Sequence, residues 1–537
     1  MTTIRLRRGT AQQWDAANPV LAAGEPGFDL DRQVLKIGDG RSRWTDLPAI
    51  IGLTDANGSV VSGAAPAAAS AFTTQNKADV RLARTTSPVW GAVDSSSAST
   101  VVVHRNRRRQ TFHGVGASIS GAAAWLLNNK LTADQRQSLL THLYGQVRNG
   151  HCGWNTTRIS IGSTETFRSP TTPAIYTLDD VASGQTDFNL TSFSLTPDLD
   201  RIGSVLSEIL AIRPGLQIHA TVSVRPSWLQ VDGFGGQYFR TIDPTDKGLK
   251  QSQFAKAYAD YCVAALQAYY DRGIHIYSFS PFNEPFYSGR WPPTAIANFA
   301  TDFLGPALEK SGLPTKLLLG EDLPDHANAV DTLVSSTGRV SSGLSWHSYN
   351  DQLSGVSRFA DDDRVGEMHM TEARNLLTEA WAAAWSVMAR RTVIGCTQAG
   401  CSSLTLWNLA LDENGDAKAD DGTSYVVLPK RQGVVTVPAD GSGAVEYNTG
   451  YWALNHVSKF VTPGAYVLDV TGGLALSDAS GAGVAATAFE NQNGSVVAVL
   501  HNASNAVVKS QIVDSNSGLA LPLSMEPRET RSLVWTS

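Results

Sequence analysis

The sequence lacks long apolar runs, an excess of charge of one sign and a cysteine framework. Its 537 residues include four cysteines and carry a formal net charge of −6. No run reaches the roughly 18 apolar residues that a membrane-spanning helix needs, so we expect no membrane span. The small net charge provides no general attraction to nucleic acid. The cysteines form no disulfide pattern, and Cys396 and Cys401 lack a second pair for zinc, which favours buried thiols.

Several functional motifs are also missing. The first residues, "MTTIRLRRGTAQQW", are charged and contain no apolar stretch, so we expect no secretory signal peptide and, for action outside the cell, another route of exit. The sequence has no G-x-S-x-G, H-E-x-x-H or P-loop motif. A calcium-loop pattern that begins at Asp412 has Ala417 where glycine is required and Thr423 where a glutamate should chelate. We therefore expect no metal ion and no cofactor.

Composition divides the chain into zones. Residues 1–53 contain short strand-like runs separated by Gly, Pro and Asp turn signals, which predicts a small β-rich module. Residues 54–88 are rich in Ala, Ser, Gly and Thr without periodicity, which is typical of a linker. From about residue 89 the chain changes to long alternating elements. The extent of these elements leaves room for one large domain and an attached smaller one.

Eight apolar runs alternate with amphipathic helical patterns between residues 113 and 445, which predicts a (β/α)8 TIM barrel. A doubly wound open sheet is the alternative. Its nucleotide-binding fingerprint is incomplete, because Ile119 stands where the third glycine of "GVGASISG" should be. The runs cover residues 113–119, 156–162, 217–224, 275–282, 316–322, 343–349, 365–372 and 403–408.

Residues 446–537 begin with one helical pattern and continue as evenly spaced strand-like runs, which predicts an attached antiparallel β-sandwich. Residues 89–112 contain the strand pattern "STVVVHRNRRRQTF" and are expected to join that sandwich. Taken by itself, the basic run Arg105–Arg109 within this strand suggests binding to nucleic acid. Lys and Arg commonly protect sheet edges, so we expect a solvated strand edge.

Two glutamates follow apolar strands in this predicted barrel. Glu284 ends the run in "IYSFSPFNEPFYSGRWPP", and Glu372 ends "VGEMHMTE". The C-terminal ends of barrel strands carry the chemistry of this fold, so both side chains are expected at one mouth. Paired carboxylates are what cleavage of a glycosidic bond requires. A polar barrel mouth without catalysis remains the alternative.

The two carboxylates need different protonation states. Glu284 lies in an apolar, aromatic stretch, which should disfavour its ionised form and suit it to general acid catalysis. Glu372 would act as nucleophile, held ionised by Arg158 or Arg374. Asn283 is expected to reach the substrate 2-hydroxyl.

Other polar and aromatic side chains lie at or near strand ends. His347 and Tyr349 are expected to orient the nucleophile, and flat aromatic faces suit sugar rings. The expected substrate contacts are Arg158, Asn283, His347, Tyr349, Trp407, Asn408, Trp228, Tyr287 and Trp291.

The motifs "GVGASISGAAA", "NTTRISIG", "RPSWLQVDG", "FNEP", "WHSY", "MTEA" and "LWNLAL" resemble, in this order, the strand ends of glycoside hydrolase family 30, the glucosylceramidase-like group. The resemblance extends from about residue 100 to the C-terminus. It implies a barrel with a β-sandwich and retaining hydrolysis, with Glu284 as acid/base and Glu372 as nucleophile. Gly121 and Ser223 depart from the sugar-contacting Asp and Trp of the glucosylceramide-cleaving members, so the sugar is left open.

Residues 1–53 are similar to the N-terminal module of phage tail-fibre and tropism-determinant proteins, through "LRRGT", "LAAGEPGF", "LKIGDG" and the "W..LP" pattern. This resemblance implies attachment to phage tail components and a location on the virion tail, with action at the host cell surface. Such fibres are often trimeric, which makes a homotrimer one expectation.

Together these features predict a retaining β-glycosidase that acts on a cell-surface glycan as a tail-associated depolymerase. The alternative from another class is a non-catalytic, glycan-binding receptor-recognition fibre protein. An inverting hydrolase is a further alternative, and it requires carboxyl groups about 6.5–9.5 Å apart where retention requires about 5–5.5 Å.

Overall fold

Eight parallel strands close into a barrel; seven of them lie within the predicted apolar runs, and the eighth, Cys401–Leu406, overlaps the run 403–408. The computed structural model describes residues 7–31, 34–47, 49–52, 66–76, 80–97, 99–163, 176–229, 252–286, 292–338, 341–417, 430–475 and 483–536. Numbered along the whole chain, the barrel strands are β8 (Gly114–Ala117), β9 (Thr156–Ile161), β10 (Gln217–Val222), β11 (Ile276–Ser280), β12 (Lys316–Asp322), β13 (Gly343–His347), β14 (Glu367–Glu372) and β16 (Cys401–Leu406). They pair in chain order, and β16 closes the barrel against β8.

Helices cover the outside of the barrel, as the periodic segments between the strands predict. Helix starts are marked by capping side chains: the Ser120 hydroxyl accepts from the amide of Ala123, and Thr132 forms a capping box with Gln135. The helices are α2 (Gly121–Asn129), α3 (Ala133–Tyr144), α4 (Thr196–Asp198), α5 (Ser204–Ile212), α6 (Ser252–Tyr270), α7 (Pro293–Phe299), α8 (Gly305–Ser311), α9 (Ala327–Thr337), α10 (Leu353–Ser357), α11 (Trp381–Ser386) and α12 (Cys396–Gln398). Within the described residues, no helix combines the length and apolar character that crossing a membrane requires.

Both ends of the barrel carry polar clusters. At the N-terminal end, the Glu367 carboxylate accepts hydrogen bonds from Lys316, Tyr277 and His369. Five two-residue strands lie in the loops near the opposite end: β15 (Asn375–Leu376), β17 (Ala410–Leu411), β18 (Arg431–Gln432), β19 (Val435–Thr436) and β20 (Glu446–Tyr447). The two ends are therefore chemically distinct, and the C-terminal end is the one with the paired glutamates.

A nine-stranded sheet packs against the barrel. Its members are β5 (Ser70–Thr74), β6 (Ala83–Thr85), β7 (Thr100–Phe112), β21 (Ala465–Thr471), β22 (Val484–Glu490), β23 (Val496–Asn502), β24 (Val508–Asp514), β25 (Ala520–Met525) and β26 (Thr530–Trp535). Their order is β25-β24-β7-β21-β22-β23-β26-β5-β6, and helix α13 (Thr449–Ser458) leads into it. All pairs are antiparallel except β24 with β7, which is parallel. The predicted fold class, a barrel with a β-sandwich and a small N-terminal β-rich module, is confirmed.

The central strands of this sheet are buried on both faces. In β22, Phe489 belongs to the barrel's hydrophobic core and Ala488 to the core of the sandwich. In β23, Val497 belongs to the barrel's core and Ala498 to the core of the sandwich. Successive side chains of a strand point to opposite faces, so these central strands complete the core of the barrel on one face and the core of the sandwich on the other.

The sequence-based linker over residues 54–88 is corrected in its second half. Ser70–Thr74 pairs with Thr530–Val534 of β26, and Ala83–Thr85 continues the sheet. These strands could not be predicted from the sequence, because small Ala, Ser and Thr side chains show little contrast between buried and exposed positions. Residues 53–65 lie outside the described residues.

The expectation of a strand edge at Arg105–Arg109 is wrong, because β7 lies inside the sheet, between β24 and β21. The expected exposure to solvent holds for Arg107 and Arg108, whose side chains are 61% and 56% exposed. Arg105 contacts Glu490 and Asp514, and Arg108 also contacts Glu490. These two arginines are therefore paired with carboxylates of β22 and β24. The four cysteines are free and buried, as expected.

The N-terminal module has a small core of its own. Its four-stranded sheet consists of β1 (Arg7–Gly9), β2 (Pro26–Asp29), β3 (Val34–Ile37) and β4 (Ala49–Gly52), and it is joined by helix α1 (Ala11–Ala17). Trp14 stacks on Trp44 with ring centroids 3.9 Å apart, and Leu21 and Leu47 complete the cluster. The Trp14 indole donates to the carbonyl of Phe28 at 3.0 Å. Two aromatic rings thus supply most of the apolar contact in a unit too small for a large core.

Two buried histidines predict how stability depends on pH. Both rings bridge hydroxyl groups: His456 those of Ser532 and Thr74, and His501 those of Thr530 and Ser386. Burial lowers the pKa of each ring from 6.5 to about 3. Between these values the unfolded chain binds protons that the folded chain does not. The free energy of unfolding therefore falls as the pH falls from about 6.5 toward 3, by up to about 1.4 kcal/mol per pH unit for each ring.

Urea unfolding at pH 7 and pH 5 measures this effect. We expect His456→Gln to reduce the difference between the two free energies of unfolding by about 2 kcal/mol, because one titrating ring is removed. The same substitution at the exposed His275 is the control and leaves the difference unchanged. An unaltered difference in the His456 variant would contradict the assignment.

Candidate active site

The ends of five neighbouring or facing strands bring ionisable side chains into one cup. Glu284 follows β11, and Glu372 ends β14 on the other side of the barrel. One carboxylate oxygen of each and one ring nitrogen of His347 all lie within 4.8 Å of one another. The two glutamates that the sequence singled out therefore open onto the same space.

Glu284 is held by a tight backbone turn after its strand. Its φ is 47°, in the left-handed region that non-glycine residues rarely adopt. Its amide donates to the carbonyl of Glu321 at 2.9 Å, and the amide of Phe286 donates to Asp322 Oδ2 at 2.6 Å. His347 Nδ1 donates to Glu284 Oε1 at 2.8 Å. This polar partner was not anticipated from the apolar sequence around Glu284.

Glu372 is surrounded by hydrogen-bond donors. Tyr349 donates its hydroxyl to Oε1 at 2.6 Å, and Arg158 Nη1 donates to Oε2 at 2.7 Å. Burial by itself raises the pKa of this carboxyl. The positive charges of His347 and Arg158 and the Tyr349 hydrogen bond outweigh burial and hold the pKa below its ordinary value. Glu372 is consequently ionised at neutral pH.

Arg158 links the Glu372 side of the cup to the Glu284 side. Its Nη2 donates to Asn283 Oδ1 at 2.6 Å, and its Nε donates to Glu321 Oε1 at 3.0 Å. The guanidinium side chain is only 3% exposed. Burial opposes its charge, but Glu321 and Glu372 outweigh that effect and raise the pKa of Arg158 above its usual range. Asn283 is thereby fixed beside Glu284 with its amide group oriented.

His347 lies between three carboxylates. Besides its bond to Glu284, its Nε2 contacts Glu321 Oε1 at 3.4 Å, and Nδ1 is 4.0 Å from Glu372 Oε1. Burial favours the neutral ring, but Glu372 and the hydrogen bonds to Glu284 and Glu321 raise the pKa of His347 to about 10. The ring is an imidazolium at neutral pH and donates from both nitrogens.

Glu321 is the residue of this cluster to which the sequence analysis gave no role. It ends the run "KLLLGED", and that position at a barrel mouth was the available signal. Its side chain is 2% exposed, and it accepts from Arg158, His347 and the hydroxyl of Ser280. Burial raises its pKa, but the charge of Arg158 and the His347 bond outweigh burial and lower the pKa well below its ordinary value.

The predicted aromatic and amide substrate contacts differ in position: Trp407 lies beside Arg158, whereas Trp228 is buried. The Trp407 ring lies 5.7 Å from the Arg158 guanidinium carbon, and Asn408 Nδ2 donates to Ser120 Oγ at 2.6 Å. Trp228 is buried, with its indole donating to Asp179 Oδ2 at 3.0 Å, so its ring is not an open face for a sugar. The remaining two predicted contacts, Tyr287 and Trp291, lie outside the described residues.

The structure also places Arg374, the second candidate for holding Glu372 ionised, and Gly121 and Ser223, which depart from the family pattern. Arg374 lies over the Tyr349 ring at 5.1 Å, so it supports the tyrosine, while Arg158 contacts the Glu372 carboxylate directly. Ser223 accepts a hydrogen bond from Ser160 at 3.0 Å. Gly121 begins helix α2 and lines a small cavity together with Ser120 and Ser160. Both departures therefore place a small residue where the glucosylceramide-cleaving members carry a larger Asp or Trp.

A closed (β/α)8 barrel with two facing carboxylates at its C-terminal end is the arrangement of a glycoside hydrolase. Residues 112–384 match the model of the glycosyl hydrolase family 30 TIM-barrel domain, and residues 464–530 match that of the family 30 beta sandwich domain. The chain belongs to glycosyl hydrolase family 30, and it is a glycoside hydrolase. Residues 4–42 match the major tropism determinant N-terminal domain.

Curated relatives include glucanases and a glucosylceramidase. An endo-1,6-β-D-glucanase of Aspergillus fumigatus is 26% identical over 471 residues, which cover 84% of this chain and 92% of the relative. An endo-1,6-β-D-glucanase of Neurospora crassa is 29% identical over 434 residues, 76% of this chain and 85% of the relative. The lysosomal acid glucosylceramidase of Mus musculus is 25% identical over 464 residues, 80% of this chain and 82% of the relative.

Solved structures with the same fold include the endo-β1,6-glucanase BT3312 and SrfJ from Salmonella typhimurium. The first has a TM-score of 0.69 at 22% identity and covers 88% of this chain and 99% of its own. The second has a TM-score of 0.73 at 17% identity and covers 87% of this chain and 99% of its own. At these identities the likeness extends to the fold alone.

The Tyr349 hydroxyl provides a direct test of how Glu372 is kept ionised. A hydrogen bond to a charged group contributes roughly 1.5–3 kcal/mol. We expect Tyr349→Phe to lower kcat/KM for a 4-nitrophenyl β-glycoside by about 10- to 100-fold. The acidic limb of the pH profile should move to higher pH, because the carboxylate loses a donor. The control is Tyr270→Phe on the surface of α6, and an unchanged acidic limb in Tyr349→Phe would contradict the role.

Proposed function

We propose that this protein is a retaining β-glycosidase in which Glu284 is the general acid/base and Glu372 is the nucleophile. The observation that carries the proposal is that one carboxylate oxygen of Glu284 lies within 4.8 Å of one carboxylate oxygen of Glu372. An inverting enzyme needs a gap of about 6.5–9.5 Å to admit water between carboxylate and sugar, whereas direct attack needs about 5–5.5 Å. The difference in surroundings supports the division of roles, since Glu372 is bound by Arg158 and Tyr349.

In the first step the Glu372 carboxylate attacks the anomeric carbon and forms a glycosyl ester. The bond to the leaving oxygen breaks, and that oxygen takes the proton of Glu284. The ring charge that develops in the transition state is offset by the ionised nucleophile. Asn283, oriented by Arg158, would donate to the 2-hydroxyl of the sugar.

In the second step Glu284 acts as a base. It accepts a proton from a water molecule, whose oxygen attacks the anomeric carbon and breaks the ester bond to Glu372. Two successive inversions leave the anomeric configuration unchanged. The hydrogen bond from His347 would hold the Glu284 carboxylate in the same place through both steps.

The substrate that we propose is a β-linked glycan of a cell surface, with β-1,6-glucan as the first to test. Three curated relatives are endo-1,6-β-D-glucanases, and they match 73–84% of this chain. The N-terminal match to a tropism-determinant domain supports attachment to a phage tail and a role as a tail-associated depolymerase. Gly121 and Ser223 indicate that recognition of the sugar differs from that in glucosylceramide-cleaving members.

A second candidate is a fibre protein that binds glycans without cleaving them. The same N-terminal match favours it, because attachment alone is sufficient for adsorption. Both candidates need a carbohydrate-binding cup. Only the enzyme needs one glutamate that is ionised and a second that gives up a proton. Release of sugar therefore separates the two.

Substitution of each carboxylate tests the proposed roles. We expect Glu372→Gln to lower reducing-sugar release from β-1,6-glucan or host surface polysaccharide by about 1,000-fold or more, because no ester can form. Glu284→Gln should be far less harmful on aryl glycosides with a good leaving group, which needs no proton. The control is Glu309→Gln on α8. Binding of polysaccharide by the wild type without release of sugar would favour the fibre protein.

The stereochemistry is measured by proton NMR of the first product. Retention predicts that the β-anomer appears before mutarotation. An initial α-anomer would overturn the nucleophile assignment for Glu372.

Removal of residues 1–53 tests the attachment module. Because the module has its own core of Trp14, Trp44, Leu21 and Leu47, we expect the shortened chain to keep hydrolysis and to lose association with tail components. Light scattering of both chains measures whether the full-length protein is a homotrimer. Loss of hydrolysis on deletion would show that the module belongs to the catalytic unit.

A further inference from the structure

Glu321 is the most enclosed acid of the cup, and it does not belong to the proposed catalytic pair. Oε1 accepts from Arg158 Nε at 3.0 Å and Nη2 at 2.9 Å, and it lies 3.4 Å from His347 Nε2. Oε2 accepts from Ser280 Oγ at 3.1 Å. The carboxylate therefore contacts both cations of the site.

The negative charge of the cup is redistributed during the proposed reaction. Before the reaction, the cations of Arg158 and His347 face the anions of Glu372 and Glu321. When Glu372 becomes an ester, its negative charge disappears, and Glu284, which has given up its proton, becomes the anion beside His347, while both cations remain buried. A buried charge without a partner is strongly unfavourable. Glu321 is then the carboxylate that still contacts both cations.

We propose that Glu321 is a positioning residue that supplies a permanent buried counter-charge, keeping His347 an imidazolium and Arg158 in place while the charge of Glu372 disappears and returns. The proposal rests on the proposed function for the catalytic cycle, and on geometry alone for the free enzyme. Through His347, Glu321 also acts on Glu284, which accepts the Nδ1 hydrogen bond. It thus connects the nucleophile to the acid/base.

The backbone of Glu321 adds a second connection to the acid/base. Its carbonyl accepts the amide of Glu284 at 2.9 Å, and its φ of 51° lies in the same left-handed region as that of Glu284. Such conformations cost roughly 1–3 kcal/mol each and persist where the surroundings fix them. The next residue, Asp322, binds the amide of Phe286. The end of β12 therefore holds the Glu284 loop by its main chain while the Glu321 side chain holds the cations.

The groups that face His347 are Glu284, Glu321 and Glu372, with Tyr349 beside them and Arg158 across the shared carboxylates. Removal of one adjoining negative charge should lower the protonation midpoint of a histidine by about 1–3 pH units. Loss of the imidazolium would in turn deprive the Glu284 carboxylate of a charged donor. The titration of His347 therefore reports on Glu321 without any substrate.

The first experiment is 15N NMR of the full-length, histidine-labelled free enzyme between pH 5 and 10, with His347 assigned from the spectrum of His347→Gln. In the wild type, both nitrogens of His347 should carry protons across neutral pH. In Glu321→Gln, the midpoint should fall by about 1–3 pH units. An unchanged midpoint would overturn the proposal.

Two further variants separate charge from structure. Glu321→Asp keeps the negative charge and should keep most of the wild-type midpoint. Glu367→Gln makes the same chemical change at the opposite end of the barrel and should leave His347 unaffected. If Glu321→Gln does not fold, Glu321→Asp is the test: its shorter side chain holds the carboxylate farther from His347, so the midpoint should fall by a smaller amount. A shift in Glu367→Gln equal to that in Glu321→Gln would overturn the specific role.

The second experiment measures the pH dependence of kcat/KM on a 4-nitrophenyl β-glycoside. For Glu321→Gln we expect a loss of about 100-fold, together with a move of the alkaline limb to higher pH, because Glu284 loses its charged donor. A loss without any move of the limb would indicate a merely structural role and overturn the proposal. Should the wild type release no sugar, the proposed function fails while the NMR result still decides the role of Glu321 in the free enzyme.

Discussion

Arg158 carries its charge inside the barrel, where it donates to Glu372, Glu321 and Asn283. An unpaired cation at this depth would cost several kcal/mol, so the carboxylates around Arg158 stabilise the folded barrel. Their positions in turn depend on the ends of β9, β11, β12 and β14 meeting at one rim. Closure of the barrel therefore brings the Arg158 guanidinium and the carboxylates together, and their contacts fix the geometry of the site.

This dependence also explains why unfavourable backbone is tolerated at the rim. Glu284 and Glu321 both have positive φ, and the amide of the first binds the carbonyl of the second. Each side chain is then aimed at His347, which is fully buried. Ionic contacts and main-chain hydrogen bonds offset the local strain, so the site combines rigidity with a high density of charge.

The sequence was informative where periodicity or strand-end chemistry leaves a local signal. The eight barrel strands follow from apolar runs, and the Glu284–Glu372 pair from carboxylates at the ends of two runs. Other features depend on partners far along the chain. Strand β5 pairs with β26, more than 400 residues away, and the role of Glu321 depends on two cations from other strands. The burial of Trp228 depends on Asp179, which the motif "RPSW" does not reveal.

The strands β21, β22 and β23 present one face to the barrel and the other to the sandwich. Each core would be left open without the other, so the two folds form one cooperative unit. Recombination between related genes would have to move both together, and the strand Ser70–Thr74 would have to be moved with them because it is hydrogen-bonded to β26. A workable crossover point in such an exchange therefore lies upstream of Ser70, on the side of the N-terminal module.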